Sequence, residues 1–308
     1  MGKLLIVGSL AFDAIETPFG KTGKILGGAG TFISLAASQF HLDCGLVSIV
    51  GDDFPTKYMD ILRDRGVDLD GVEVVPGGKT FFWEGRYHND LNSRDTIQTE
   101  LNTLADFKPI VPEPFRDADV LMLGNLHPNT QLDVIQQMEI RPKLIILDTM
   151  NFWMENSWKE LMEVIAKIDV ITLNDEEARQ LTKEHSLVKA AAKIQKMGPR
   201  FVVIKKGEHG ALLFQKNKIF FAPALPLEEV FDPTGAGDTF AGGFSGYLTQ
   251  SGNISFESMK SAIIQGSNLA SFCVERFGTE RMLALAQDEI KDRLMQFKEL
   301  TQFNIELT

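Results

Sequence analysis

Along the chain, short apolar runs rich in β-branched residues alternate with longer stretches of helical period. The runs cover residues 4–7, 46–50, 120–123, 144–147, 170–173 and 201–204; the helical stretches cover 31–40, 57–65, 131–138, 157–168, 176–182 and 188–197. Strands without polar alternation are those buried on both faces, and their alternation with helices is the pattern of βαβ units. The pattern predicts a three-layer α/β/α fold with a mainly parallel central sheet. Residues 71–99 break this rhythm: pieces such as 79–87 alternate like strands with no helical stretch between them. They predict a small β-sheet projecting from the main body as a lid, with residues 12–26 as its other part. After Gly237 the chain is mostly helical, with Phe240, Ala241, Phe244, Tyr247 and Leu248 spaced to cover one helix face.

Length alone suggests up to two domains in 308 residues. The unbroken pattern, with no linker, repeat or low-complexity tract, points to a single domain over 1–308. With 44% hydrophobic and 24% charged residues the composition is that of a globular protein. A formal charge of −11 argues against a nucleic-acid partner, whose backbone is held by clustered Lys and Arg. The apolar run at 4–7 is too short for a signal segment or a membrane span, so no membrane partner is expected. Cys44 and Cys273 could form one bridge at most, and a core of this size needs none. A reducing, cytoplasmic compartment is expected.

The densest chemistry lies in Asp232-Pro233-Thr234-Gly235-Ala236-Gly237-Asp238-Thr239-Phe240. Gly235 and Gly237 let the backbone turn tightly and leave N–H groups unpaired at a helix start, where the dipole favours an anion. A phosphate or a developing phosphoryl charge fits there, with N–H groups offered by Ala236, Gly237 and Asp238. Asp238 is a poor anion ligand but is well placed to take a proton from an attacking hydroxyl. In isolation the same residues also read as a loop followed by an ordinary first-turn acid.

The longer string closely resembles the carboxy-terminal signature of the ribokinase-like, PfkB-type carbohydrate and nucleoside kinases. Three further stretches match that family in order: Gly8-Ser9-Leu10-Ala11-Phe12-Asp13 with Gly27-Gly28-Ala29-Gly30; Asn174-Asp175-Glu176-Glu177; and Lys205-Lys206-Gly207-Glu208-His209-Gly210. The resemblance implies that Asp13 takes the acceptor's hydroxyls while Gly27 and Gly28 allow close backbone approach. It implies that Asn174 and Glu177 lie near Mg2+ and the triphosphate, acting through water where they do not coordinate directly. Asn174 with Glu177 at the third position is equally a helix capping box. Lys205 and Gly207 fall on the nucleotide side, where Lys205 or Lys206 replaces the family's small hydroxyl residue; Lys205 reads evenly as a phosphate ligand or a solvated lysine. Asn268 falls near the adenine or has a capping role, and Asp232 with Thr234 corresponds to a K+-like monovalent cation site.

Other readings fail. The strings Gly20-Lys21-Thr22 and Gly78-Lys79-Thr80 lack the first glycine of a Walker-A loop, with Ile15 and Glu73 in its place. Ile33 stands where a nicotinamide-binding fingerprint needs its third glycine. Neither the histidines nor the cysteines are spaced for zinc. The expected activity is ATP-dependent transfer of the γ-phosphoryl group to a hydroxyl, primary by preference, of a sugar, with a nucleoside as near-equal candidate. Phe12, Phe81, Trp83 and Tyr87 lie where they could stack on a base or simply line the lid. A catalytically silent ligand-binding protein of the same fold is the alternative, and an exposed lid edge suggests a homodimer.

Overall fold

The computed structural model describes residues 2–302. Its strands are β1 (Lys3–Val7), β2 (Ala11–Thr17), β3 (Gly20–Lys21), β4 (Ile25–Gly27), β5 (Asp43–Gly51), β6 (Val67–Val75), β7 (Phe82–Tyr87), β8 (Arg94–Glu100), β9 (Val120–Leu123), β10 (Leu144–Asp148), β11 (Val170–Asn174), β12 (Phe201–Lys205), β13 (Ala211–Gln215) and β14 (Lys218–Ala222). Its helices are α1 (Ala29–Ala37), α2 (Thr56–Asp64), α3 (Pro128–Gln137), α4 (Asn151–Asn156), α5 (Trp158–Ile165), α6 (Asp175–Thr182), α7 (Leu187–Gln195), α8 (Ala236–Ser251), α9 (Phe256–Cys273), α10 (Glu280–Ala284) and α11 (Gln287–Thr301). Each apolar run of the sequence became a strand and each helical stretch a helix.

The large sheet has nine strands in the order β14-β13-β12-β11-β10-β9-β1-β5-β6. From β12 to β6 all neighbours are parallel; β13 and β14 close one edge as antiparallel strands. Alternate residues of the inner strands enter opposite cores. Leu4 and Ile6 of β1 pack on the side of Phe32, Phe244 and Phe272 from α1, α8 and α9. Leu5 and Val7 pack on the side of Leu161 and Ile194 from α5 and α7. Burial on both faces is why these strands read as continuous apolar runs.

A second sheet, in the order β3-β2-β7-β8 with β4 also paired to β2, stands off the first. Its extent corrects one boundary. Residues 71–75 belong to β6, which pairs with β5 as an edge strand of the large sheet, so the second segment of the small sheet starts only at Phe82. In β6, Val67 and Leu69 are buried while Asp68 and Asp70 face solvent, the alternation of a half-covered edge. In the small sheet Asp13, Ile15 and Thr17 of β2 lie buried on the face shared with Gly85 and Tyr87 of β7. The other face carries Glu16, Glu84 and Arg86, where Arg86 pairs with Glu16 (2.9 Å) and Lys21 with Glu84 (3.1 Å). Among the described residues no helix is long and apolar enough to cross a membrane. Cys44 and Cys273 are buried free thiols.

Candidate active site

The site forms where α8 begins against α1. Gly235 caps α8 in the left-handed region at φ 77°, and a Cβ there would stand 2.5 Å from the ring of Phe32 in α1. Both demands select glycine. Further along α8, a Cβ on Gly242 would lie 2.3 Å from the Ile33 carbonyl, and one on Gly246 would lie 2.6 Å from the Phe40 ring. Their missing side chains let α8 lie directly on α1, which places the first turns of the two helices side by side. At the start of α8 the Ala236 N–H is given to the Pro233 carbonyl (3.2 Å). That corrects the expectation for Ala236: of the three N–H groups expected in the cradle, only those of Gly237 and Asp238 have no acceptor among the described residues.

Across from the cradle, Asp13 of β2 is buried at 5% exposure beside the turn that leads from β4 into α1. A Cβ on Gly27 would fall 1.9 Å from Asp13 Oδ2, and one on Gly28, at φ 92°, would fall 2.4 Å from the Ser9 carbonyl. The glycine pair therefore makes room for this carboxylate against the backbone. The turn is pinned by Ser9, whose hydroxyl accepts the Ala29 N–H (3.1 Å), and by Thr31, whose hydroxyl donates to the Gly27 carbonyl (2.6 Å). Burial pushes the Asp13 carboxyl up to about 7; the Gly28 N–H opposes this, and Asp232 and Asp238 add to it.

On the third side, the carboxyl ends of β10, β11 and β12 contribute charge. Lys205 donates to Asp148 Oδ1 (2.6 Å), which also accepts the Thr172 hydroxyl (2.5 Å). Burial works against the Lys205 ammonium, but Asp148, Glu177 and Asp238 outweigh it and hold its pKa above the ordinary lysine value. Asp238, half-buried in the first turn of α8, is raised to about 7 by burial and by Asp148, against the opposing charges of Lys205 and Arg94. Glu177 is also raised to about 7, chiefly by burial. Asn174 and Glu177 close a capping box: Asn174 Oδ1 accepts the Glu177 N–H (2.8 Å) and Glu177 Oε2 accepts the Asn174 N–H (2.7 Å). The box fixes the Glu177 carboxyl at the strand end beside Lys205. Gly207 adopts φ 54° at the turn after β12, and Asn92 of the small sheet lies 3.2 Å from the position of a Cβ there.

Two predicted residues sit differently. Asn268 is fully buried in α9 and donates its amide to the Ile290 carbonyl (3.0 Å), which ties α9 to α11, while its side-chain oxygen has no hydrogen-bond partner among the described residues. Asp232 is fully buried, and its two carboxylate oxygens accept the N–H groups of Thr234 (2.9 Å) and Gly278 (2.8 Å), joining two turns. The Thr234 hydroxyl donates to the Tyr87 phenol oxygen (3.1 Å), a contact between the small sheet and the body.

Three groups escaped the sequence reading. Asp148 could have been noticed, since it ends the run at 144–147 at the carboxyl edge of a parallel sheet, where ligands bind. Thr172 and Arg94 carry no such signal, because their place depends on strand register. A surface cavity of about 590 Å³ bounded by Phe231, Arg276 and Arg281 contains none of these groups.

Residues 1–285 match the family model described as pfkB family carbohydrate kinase. The chain is 31% identical over 253 residues to the cytidine kinase of Thermococcus kodakarensis, covering 80% of this chain and 89% of that one. It is 25% identical over 307 residues to the nucleoside kinase of Methanothermobacter thermautotrophicus, covering 94% of each. A solved structure of a candidate ribokinase II from E. coli, in complex with ATP and Mg2+, matches with a TM-score of 0.78 at 20% identity, covering 96% of this chain and 100% of that one. At that identity the likeness is one of fold.

Proposed function

This chain belongs to the pfkB family of carbohydrate kinases, and from that premise we propose that its acceptor is a nucleoside, phosphorylated on its primary hydroxyl. It is an ATP-dependent kinase of a sugar or nucleoside hydroxyl, and the relatives it resembles are named as kinases, which leaves the silent-binder reading without support.

One observation carries the choice of nucleoside. In the parallel pair β2–β7 the register partner of Asp13 is Trp83, so both project from the same face of the small sheet. The six-membered ring of Trp83 lies over Gly85, where an added Cβ would come within 2.1 Å of it. A flat indole beside a hydroxyl-binding carboxylate suits a base joined to a ribose. Stacking on an aromatic ring contributes about 1–3 kcal/mol per base. Trp83→Ala is expected to raise KM for cytidine or adenosine by about 10-fold or more while leaving KM for free pentoses within about twofold. Equal effects on both acceptor types would remove the nucleoside reading in favour of a sugar.

In this mechanism the acceptor's hydroxyls are held by Asp13 and approached by the Gly27-Gly28 backbone. Asp238 accepts the proton of the attacking hydroxyl as its oxygen bonds to the γ-phosphorus and the bond from that phosphorus to the bridging oxygen of ADP breaks, with ADP as the leaving group. The Gly237 and Asp238 N–H groups at the positive end of α8, together with Lys205, stabilise charge on the transferring group. The chemistry that Mg2+ would supply when bound is neutralisation of phosphate charge. Glu177 and Asn174 would hold the ion through water, since each already gives one oxygen to the capping box. The small sheet, residues 12–26 with 82–100, acts as the lid of a single domain, and its closure excludes water as a competing acceptor.

Asp232 supports a K+-like ion near Thr234: it is a fully buried carboxylate held by the Thr234 and Gly278 N–H groups and the Thr234 side chain, with no cationic side chain paired to it among the described residues. The ion's ligands would then come from the carbonyls of the two turns Asp232 joins, and turnover in KCl against choline chloride tests it. The exposed edge strand β8 supports a lid-to-lid homodimer, tested by light scattering. Two unbridged buried thiols suit a reducing cytoplasm.

A further inference from the structure

The β7–β8 hairpin meets the body at two points. At its turn end Tyr87, the last residue of β7, accepts the Thr234 hydroxyl (3.1 Å), and within the turn Asn92 lies 3.2 Å from the position of a Cβ on Gly207. Arg94 is the register partner of Tyr87 and lies two residues from Asn92, so both anchors hold its stretch of the hairpin against the turn after β12 and the turn that leads into α8. Most arginines of the chain are committed: Arg86 to Glu16, Arg179 to Asp175, Arg293 to Glu275. Arg94 is exposed, makes no salt bridge among the described residues, and rests with its guanidinium 5.7 Å from the centre of the Trp83 ring. Its charge nonetheless reaches Asp238 and Glu177, where it opposes the upward push of burial. Below it three carboxylates, Asp148, Glu177 and Asp238, share a single lysine, Lys205. Arg94 lies within reach of the Tyr87 phenol but pairs with no carboxylate, so its planar fork keeps donors for phosphoryl oxygens, whose geometry it matches.

We propose that Arg94 is a catalytic residue carried by the lid, which touches the phosphoryl group in transfer from the side opposite the Gly237 and Asp238 N–H groups. Closure of the hairpin then both excludes water and completes the positive set around the transferring oxygens, so that charge stabilisation is greatest only when the acceptor is enclosed. The inference rests on the kinase reading above.

The test compares wild type, Arg94→Gln and Arg94→Lys in two assays. In steady-state turnover with nucleoside, Arg94→Gln is expected to lower kcat about 100-fold, the scale of one lost charge-stabilising donor, with KM for nucleoside little changed, and Arg94→Lys to recover part of the loss. In calorimetric binding, Mg-ADP alone is expected to bind Arg94→Gln as it binds wild type, while Mg-ADP with aluminium fluoride, which mimics the group in transfer, loses at least about 10-fold in affinity. Wild-type kcat in Arg94→Gln overturns the proposal. So does an equal loss for ADP with and without aluminium fluoride, or a loss confined to acceptors that already carry a phosphate. If wild type itself turned over no acceptor, the kinase reading would fall, and the aluminium fluoride comparison would still decide whether Arg94 contacts the terminal group.

Discussion

The Lys205 Nζ lies 2.6 Å from Asp148 Oδ1 and 3.2 Å from the point where a Cβ on Gly237 would stand. One ammonium thus pairs with a carboxylate at the end of β10 and at the same time faces the backbone cradle of α8. Replacing it separates the two duties. Lys205→Met leaves Asp148 buried without a counter-charge and is expected to cost about 3 kcal/mol of stability, read as a denaturant midpoint. It also raises KM for ATP. Adding Asp148→Asn should restore much of the stability and none of the ATP affinity; recovery of both would mean that Lys205 serves structure alone.

Asp238→Asn keeps the shape of the site and removes the proton acceptor. Turnover is expected to fall by roughly two to four orders of magnitude with ADP binding nearly intact. Because the wild-type carboxyl is raised to about 7 mainly by burial, it is protonated below that pH and ionised above it. Wild-type kcat/KM should therefore decline as pH falls through about 7, and the residual rate of the variant should lack that limb.

The same shift has a stability consequence. A carboxyl whose folded pKa exceeds its unfolded value of 3.8 holds its proton more tightly when folded, so its contribution to stability is lost as pH rises from about 4 to about 7. Asp238→Asn removes that loss. Its Tm is expected to exceed that of wild type by a few degrees at pH 8, with the difference vanishing at about pH 4. An equal difference at both pH values would point to a neutral carboxyl at pH 8.

Gly27→Ala would put a methyl group 1.9 Å from Asp13 Oδ2, so the carboxylate must move. The acceptor's KM should rise at least about 10-fold, and KM for ATP, bound at the far end of the site, should stay near its wild-type value. Gly242→Ala acts at a distance. Its Cβ would meet the Ile33 carbonyl at 2.3 Å and force α8 off α1, for a loss of about 1–3 kcal/mol and a fall in kcat with both substrates still bound.

Much of this fold was legible in the sequence because strands buried on both faces cannot be polar. The six runs from residues 4–7 to 201–204 became the parallel strands, and the string at 232–240 became the glycine-capped start of α8. What was not legible depends on pairing between distant segments. The boundary at 71 was wrong because Gly71-Val72-Glu73-Val74-Val75 reads as a strand without saying which sheet it joins. The Ala236 N–H was assigned to the cradle because a sequence does not show that Pro233 turns its carbonyl back on it. Asn268 looked like a ligand group, and only the packing of α11 reveals the Ile290 carbonyl that takes its amide. Arg94 gave no signal at all, since its place is set by its register with Tyr87.

The most direct measurement is ADP release by the purified protein with ATP and Mg2+, across cytidine, uridine, adenosine and guanosine beside ribose, other pentoses, hexoses and sugar acids, with Asp238→Asn in parallel. Turnover on a nucleoside, abolished in the variant and far weaker on the free sugars, is the predicted result. Turnover that survives in Asp238→Asn, or ATP binding with no turnover on any acceptor, would contradict it.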